Sequence, residues 1–374
     1  MQIRAAVLET MGLARPYAES RPLRVQEVEL VPPGPAEVLV RIAAAGLCHS
    51  DLSVIDGNRP RPLPMVLGHE AAGIVEEIGP GVDDLVRGDH VVLVFVPSCG
   101  NCLPCMEGRP ALCEPGAAAN GAGTLLSGAR RLRRNDEAIN HHVGVSAFAE
   151  YATVSRRSLV KIDPDLPLEE AALFGCAVLT GAGAVINTAG VRPGQTVAVV
   201  GLGGVGLCAL LAAVASGARE IIAVDLLPEK LAFARQLGAT ASFDAREERV
   251  AEAIREATRG GVDFAFELAG SAKALELAWA ITRRGGTTVT AGLPHPSARL
   301  PVPIVQLVAE ERRLLGSYIG TSVPARDVPR LIELYRRGRL PVDRLVSGSL
   351  PLDAINAGFD RLADGSVVRQ IVRM

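Results

Sequence analysis

Apolar residues fall in two rhythms along this chain. Up to about residue 160 they come in short, Val-rich runs broken by Pro or Gly: Gln2–Leu8, Leu23–Leu30, Glu37–Ala44, Gly73–Ile78, His90–Val96, Ala147–Val154 and Leu159–Ile162. Runs punctuated this way read as strands and predict a small antiparallel, barrel-like domain. From Glu169 the rhythm changes. Predicted strands at Val197–Val200, Glu220–Val224, Ala241–Phe243, Val262–Leu268, Thr287–Leu293 and Arg313–Ile319 alternate with helical runs at Pro228–Leu237, Arg246–Thr258 and Ala272–Thr282. Six strands alternating with helices predict a doubly wound parallel sheet. Ala325–Arg337 then reads as a helix and Val367–Val372 as a closing strand. With the six-strand set complete, that last strand is expected to return to the first domain.

Within the second half, Val197-Ala198-Val199-Val200 runs into Gly201-Leu202-Gly203-Gly204-Val205-Gly206, then an apolar, Ala-rich helix. Gly201 allows a tight turn, Gly203 lets backbone approach a pyrophosphate, and Gly206 lets the helix pack close to the strand. The helix N-terminus suits phosphate. The next strand ends in Asp225, placed to bind the ribose hydroxyls of a dinucleotide, with Lys230 within reach or merely solvated. Leu226 and Leu227 follow Asp225, so a 2′-phosphate would meet a carboxylate and no guanidinium, which favours NAD over NADP.

At 374 residues the chain is too long for one ordinary core, and two domains follow. A formal charge of −2 gives no basic excess for nucleic acid or an anionic membrane. Met1–Val7 reads as a strand and lacks the apolar core of a signal peptide, so a cytoplasmic location is expected. The seven cysteines are an odd number, and four of them cluster between 99 and 113, which argues for metal over disulfides.

Cys99, Cys102, Cys105 and Cys113 form CxxCxxCx7C, enough thiolates to close a tetrahedral structural zinc site. An iron–sulfur cluster also uses CxxCxxC, but the bacterial pattern brings its fourth Cys sooner and follows it with Pro. Cys113 is followed by Glu114. A second, dispersed set consists of Cys48 in GLCHSD, His69 in GHE and Cys176 in FGC. By spacing alone each of these is an ordinary core residue.

Those stretches, with the four-Cys loop, Gly201–Gly206 and Arg369, occur in an order that resembles the zinc-dependent medium-chain alcohol dehydrogenases over essentially the full length. The resemblance implies a GroES-like catalytic domain at 1–177 and 320–374 and a Rossmann NAD-binding domain at 178–319. It implies two zincs per chain, with Cys48, His69 and Cys176 holding the catalytic one, and hydride transfer between an alcohol and NAD. It further implies that Ser50 takes the alcohol proton, that Glu70 lies beside the metal and that Asp51 orients His69. Ser53 stands where animal members often carry a histidine, so the proton path beyond Ser50 is expected to differ. His49 and Arg369 match positions facing the pyrophosphate, and Thr180 and Val205 match residues packed on the nicotinamide. Phe95, His142, Val143, Leu293 and Tyr318 match the substrate wall, with Arg59 at its mouth.

Members that act on the glutathione adduct of formaldehyde carry basic residues just beyond the four-Cys loop. Here that segment is Gly116–Ala119, expected to widen an apolar pocket for medium, bulky or benzylic primary alcohols and their aldehydes. The thiol-adduct dehydrogenase is the alternative reading, and a non-catalytic nucleotide-binding relative is a third. Thr124–His142 is a polar insertion with Arg130, Arg131, Arg133 and Arg134, expected to be a solvated face. Its length favours a homodimer over a tetramer by resemblance, with Leu300–Leu307 as an interface strand whose prolines, Pro301 and Pro303, suit an edge.

Overall fold

The six strands of the second half form one sheet, and their order fixes where a nucleotide belongs. In the computed structural model, which describes residues 1–374, they run across the sheet as Ala241–Asp244, Glu220–Asp225, Thr196–Val200, Val262–Glu267, Thr282–Thr290 and Arg313–Gly316. Every neighbouring pair is parallel. The chain winds outward from Thr196–Val200 to one edge, then restarts on the other side at Val262–Glu267. The crevice for a dinucleotide lies at the carboxyl ends beside that reversal. All five residues of Thr196–Val200 are buried, which accounts for a run without polar alternation. This is the Rossmann sheet the pattern predicts.

One prediction in this region is overturned. Leu300–Leu307 is not a strand: the chain runs unpaired through Pro301 and Pro303, then forms the helix Ile304–Ala309 with Pro303 at its N-cap. Two prolines without N–H groups cannot serve a ladder, and Pro303 sets an extended residue just ahead of the helix. One edge of the sheet is Ala241–Asp244 and the other is Arg313–Gly316, whose four residues are all exposed.

The first domain is built around Glu37–Gly46. That strand pairs antiparallel with Glu70–Ile78, with Tyr151–Ser155 and with the returning Arg369–Arg373. A closed barrel of Gln2–Leu8, Leu23–Leu30, Leu132–Arg134, Glu137–His141 and Met65–Val66 completes the GroES-like fold. The 124–142 insertion is therefore part of the barrel and not a solvated face. Arg131 binds the buried Glu37 at 2.7 Å, Arg134 pairs with Glu9 and Glu137, and Arg130 donates to Asn140 at 2.8 Å. Leu132 and Ile139, interleaved with these charges, supply the buried face.

One compact unit comprises Met1–Cys176, Val323–Arg330 and Asp343–Met374, and the other Ala177–Ser322 and Leu331–Val342. The tail expected to return whole from residue 320 is thus divided, and 331–342 belongs to the unit that holds the parallel sheet. No single helix is long and apolar enough to cross a membrane.

Candidate metal centre and coenzyme site

Three elements of the first unit deliver the dispersed cysteines and histidine to one place. Cys48 is the extended N-cap of the helix His49–Ile55. Asp51 sits one turn later, so the two side chains share a face. His69 immediately precedes the strand Glu70–Ile78, after Gly68 at φ +90°. A Cβ at Gly68 would stand 2.6 Å from Phe148 N, so only glycine permits this turn. Cys176 follows a single 3₁₀ turn, Leu173–Gly175, where a Cβ on Gly175 would strike Leu93 O at 2.4 Å. The ligand atoms of Cys48, His69 and Cys176 lie within 4.8 Å of one another, and all three residues are buried.

The surroundings of this group fit a metal. His69 Nδ1 is 3.1 Å from Asp51 Oδ1, leaving Nε2 buried with no partner. An imidazole held by a carboxylate on one nitrogen presents the other to a cation. Burial works against a charged His69, but Asp51 and the Cys48 sulfur outweigh it and hold its pKa well above the usual value. Hydrogen bonding from Cys176 drives the Cys48 thiol well below its ordinary range, while the same contact and burial push Cys176 up. Two sulfurs compete for one negative charge, a conflict that a divalent cation removes by letting both deprotonate. Burial pushes Asp51 up despite its bonds to His69 and to Gly68 N.

Behind the cluster, Glu70 and Arg369 are both buried and pair at 3.2 Å. Arg369 also donates to Leu47 O at 2.8 Å. Within the first unit Arg369 is thus a buried counter-charge to Glu70. Burial raises the Glu70 pKa to about 7, against the pull of Arg369. Gly46 makes room for this carboxyl, since a Cβ there would come within 2.9 Å of it.

The four clustered cysteines also converge, with sulfurs within 4.8 Å of one another. Cys113 Sγ accepts from Cys99 N at 3.1 Å and Gly116 N at 3.3 Å, and Cys99 Sγ accepts from Cys102 N at 3.3 Å. Backbone amides aimed at sulfur favour thiolate, the form that binds zinc. A hydrogen bond from Asn101 N brings Cys99 down to about 7, whereas burial pushes Cys105 up to about 12. The donor set fits a saturated tetrahedral ion.

In the second unit, Gly201 has φ +97° and a Cβ there would meet Ala269 N at 2.6 Å. A Cβ on Gly206 would stand 1.8 Å from Gly201 O, so the helix Gly204–Ala215 can approach the strand only through glycine. Gly203 is different: nothing lies within 4 Å of its would-be Cβ. That open side, at the N-terminus of a helix, is the cradle a phosphate fills. Asp225 accepts from Leu202 N at 2.7 Å, Leu226 N at 2.8 Å and Leu227 N at 3.1 Å. It ties the glycine turn to its own strand end, a contact the spacing does not reveal. The Thr180 helix Ala177–Gly183 crosses the glycine-turn helix so closely that a Cβ on Gly181 would be 2.2 Å from Val205 O.

Residues 34–164 match the alcohol dehydrogenase GroES-like domain and residues 204–337 the zinc-binding dehydrogenase domain. A curated Mycobacterium tuberculosis (strain CDC 1551 / Oshkosh) protein named "Putative alcohol dehydrogenase D" is 39% identical, over the whole of both chains. The chain belongs to the zinc-binding medium-chain alcohol dehydrogenases. Among solved structures, benzyl alcohol dehydrogenase from Acinetobacter calcoaceticus is similar at 36% identity and TM-score 0.93, with 100% of this chain and 99% of that one covered. A protein from Sinorhizobium meliloti 1021 named "putative zinc-binding dehydrogenase", bound to NADP, shares 29% identity at TM-score 0.81, with both chains fully covered.

Of the wall residues expected of this dehydrogenase, two pack directly on His69. Phe95 meets its ring edge-on at 5.2 Å and His142 at 5.7 Å. His142 Nε2 also lies 3.4 Å from Asp51 Oδ1, a second imidazole on the same oxygen that sequence reasoning does not foresee. Burial keeps His142 well below its ordinary pKa and hence neutral. Val143 is buried with φ +43°, while Leu293 and Tyr318 of the second unit are exposed. His49 is exposed on the first turn after Cys48, and Ser50, Ser53 and Arg59 are half-buried. Gly116–Ala119 lies in the helix Glu114–Ala122. Gly116 is small because a Cβ would strike Pro97 O at 2.1 Å, and Ala117 and Ala118 face solvent. The segment carries no basic group.

Proposed function

We propose that this enzyme is an NAD-dependent alcohol dehydrogenase that interconverts bulky or benzylic primary alcohols and their aldehydes. The observation that carries the reading is the buried Cys48–His69–Cys176 group with Asp51 on the far nitrogen of the imidazole. Zinc held there would favour loss of the alcohol proton and polarise the aldehyde carbonyl, and NAD would take up the hydride.

The chain's own residues do the positioning. Asp51 fixes the tautomer and plane of His69. Ser50, two residues after Cys48, receives the alcohol proton. Ser53 donates to His49 O at 2.8 Å, so its hydroxyl proton is committed to backbone and does not extend the path. A bound coenzyme would supply, through its ribose hydroxyls, the next proton acceptor beyond Ser50. Asp225, followed by leucines, selects unphosphorylated ribose, and Lys230, five residues on, is a second candidate contact to it; the NADP-bound relative makes this the point to measure. Phe95 and His142 give an aromatic lining that suits a benzyl group, in keeping with the benzyl alcohol dehydrogenase among the similar structures.

Two zincs per chain follow from two complete donor sets. Association into a homodimer is proposed at the exposed sheet edge Arg313–Gly316 and at the neighbouring Ile304, Val305 and Val308, the last three each at least 74% exposed. The test of function is a panel of benzyl alcohol, short alkanols and hydroxymethylglutathione, each with NAD and NADP. The reading expects benzyl alcohol with NAD to lead in kcat/KM. A lead of orders of magnitude for hydroxymethylglutathione would replace it with the thiol-adduct dehydrogenase.

A further inference from the structure

In the second unit a buried acid has no place in the chemistry described so far. Glu267 ends the strand Val262–Glu267 and is 1% exposed. Its Oε1 accepts from Ala269 N at 2.9 Å, Gly270 N at 2.6 Å and Ser271 N at 3.4 Å. Its Oε2 accepts from Thr290 Oγ1 at 2.7 Å, at the end of the next strand. The Glu267 carbonyl also accepts from Ala291 N at 3.1 Å and Gly292 N at 3.3 Å. One residue therefore ties together the loops that leave two adjacent strands at their carboxyl ends.

The two loops are packed as tightly as backbone allows. A Cβ on Gly292 would lie 2.5 Å from Gly270 N and 2.6 Å from Glu267 Oε2. Gly270, at φ +74°, would bring a Cβ within 3.3 Å of Leu293 N. On its other side the first loop touches the phosphate turn, since a Cβ on Gly201 would meet Ala269 N at 2.6 Å. A dinucleotide laid across the strand-order reversal places its adenosine at Asp225 on one side. Its other half must then run over the ends of Val262–Glu267 and Thr282–Thr290. The surface it meets there is the pair of loops that Glu267 holds.

We propose that Glu267 is a positioning residue for the nicotinamide half of the coenzyme, fixing the 268–271 and 291–293 loops as one rigid floor; this rests on the dinucleotide reading of the glycine turn. Glu267 is too buried to touch the coenzyme and acts through the loop backbones. A carboxylate suits the role because it accepts on both oxygens at once. Glutamine also suits it: its carbonyl can take the loop amides while its NH₂ donates to the Thr290 hydroxyl. Methionine fills the volume and accepts nothing, which leaves three amides unpaired and the loops free to move.

The test is direct binding to the full-length protein, by NADH fluorescence and by calorimetry with AMP. AMP probes only the adenosine half. Glu267→Met is expected to weaken NADH at least about tenfold while AMP stays within about twofold. Glu267→Gln is expected to restore NADH to near the original affinity, and Thr290→Val to weaken it by a few-fold. AMP binding reports that the sheet has folded; should Glu267→Met fail to fold, the Thr290→Val and Glu267→Gln comparison decides alone. Equal losses of NADH and AMP, or none, would overturn the proposal and leave the dinucleotide site standing. Wild-type protein that binds neither nucleotide would overturn both.

Discussion

The three glycines of the phosphate turn meet different surroundings, and two of them make a paired experiment. Gly206→Ala places a methyl 1.8 Å from Gly201 O, roughly half an ordinary van der Waals separation. The helix Gly204–Ala215 must retreat by more than an ångström from a strand whose residues are all buried. Overpacking of that kind costs about 1–3 kcal/mol or more. At about 2–4 °C per kcal/mol for a unit of this size, melting should fall by several degrees. Gly203→Ala is the opposite case. Its backbone, at φ −74° and ψ −173°, is ordinary for alanine, and the new methyl meets no protein atom within 4 Å. Stability should hold, or rise by about 0.4–1 kcal/mol from the stiffer unfolded chain. The methyl projects where a pyrophosphate must lie, so NADH affinity should drop at least about tenfold, or 1.4 kcal/mol. Thermal melts and NADH fluorescence titrations on both variants decide the matter. Unchanged NADH binding by Gly203→Ala would refute the phosphate cradle.

Other outcomes follow from contacts elsewhere. Asp51→Asn keeps the shape but offers His69 a weaker acceptor, so zinc affinity should fall about 10–100-fold, read by chelator competition. His141 is buried with its pKa lowered to about 4 by desolvation, and its Nε2 accepts from Arg131 N. The fold therefore resists protonation that the unfolded chain accepts below about 6.5. His141 costs nothing above that pH and destabilises progressively down to about 4, by about 3 kcal/mol in all. In denaturant melts from pH 7 to 4, His141→Gln should lose that acid dependence. Asp225→Ser should raise KM for NAD and narrow the preference over NADP, and should also loosen the turn at Leu202; an unchanged coenzyme ratio would remove Asp225 from the discrimination.

What was legible in the sequence follows from how local each signal is. The glycine turn and its strand read correctly because every participant lies within a few residues, and because burial on both faces leaves an unbroken apolar run. The Cys99–Cys113 loop is legible for the same reason. Cys48, His69 and Cys176 are not, since only tertiary folding around Glu37–Gly46 and Glu70–Ile78 brings them together; resemblance found what spacing could not. Leu300–Leu307 misled because Ile and Val favour strands, while Pro303 and the exposure of Ile304 and Val305 belong to a helix on the surface. The arginines of 130–134 looked like a solvated face, yet their partners, Glu9 and Glu37, lie about a hundred residues away along the chain. Glu267 left no mark because its donors are backbone amides and carry no side-chain signature.

A metal at Cys48, His69 and Cys176 is the centre of the proposed chemistry, and zinc analysis of purified chains tests it directly. About two zincs per chain are expected in the wild type and about one in Cys176→Ser, with the four-Cys site intact and alcohol oxidation abolished. Wild-type protein without zinc, or Cys176→Ser retaining both ions and turning over benzyl alcohol, would contradict it.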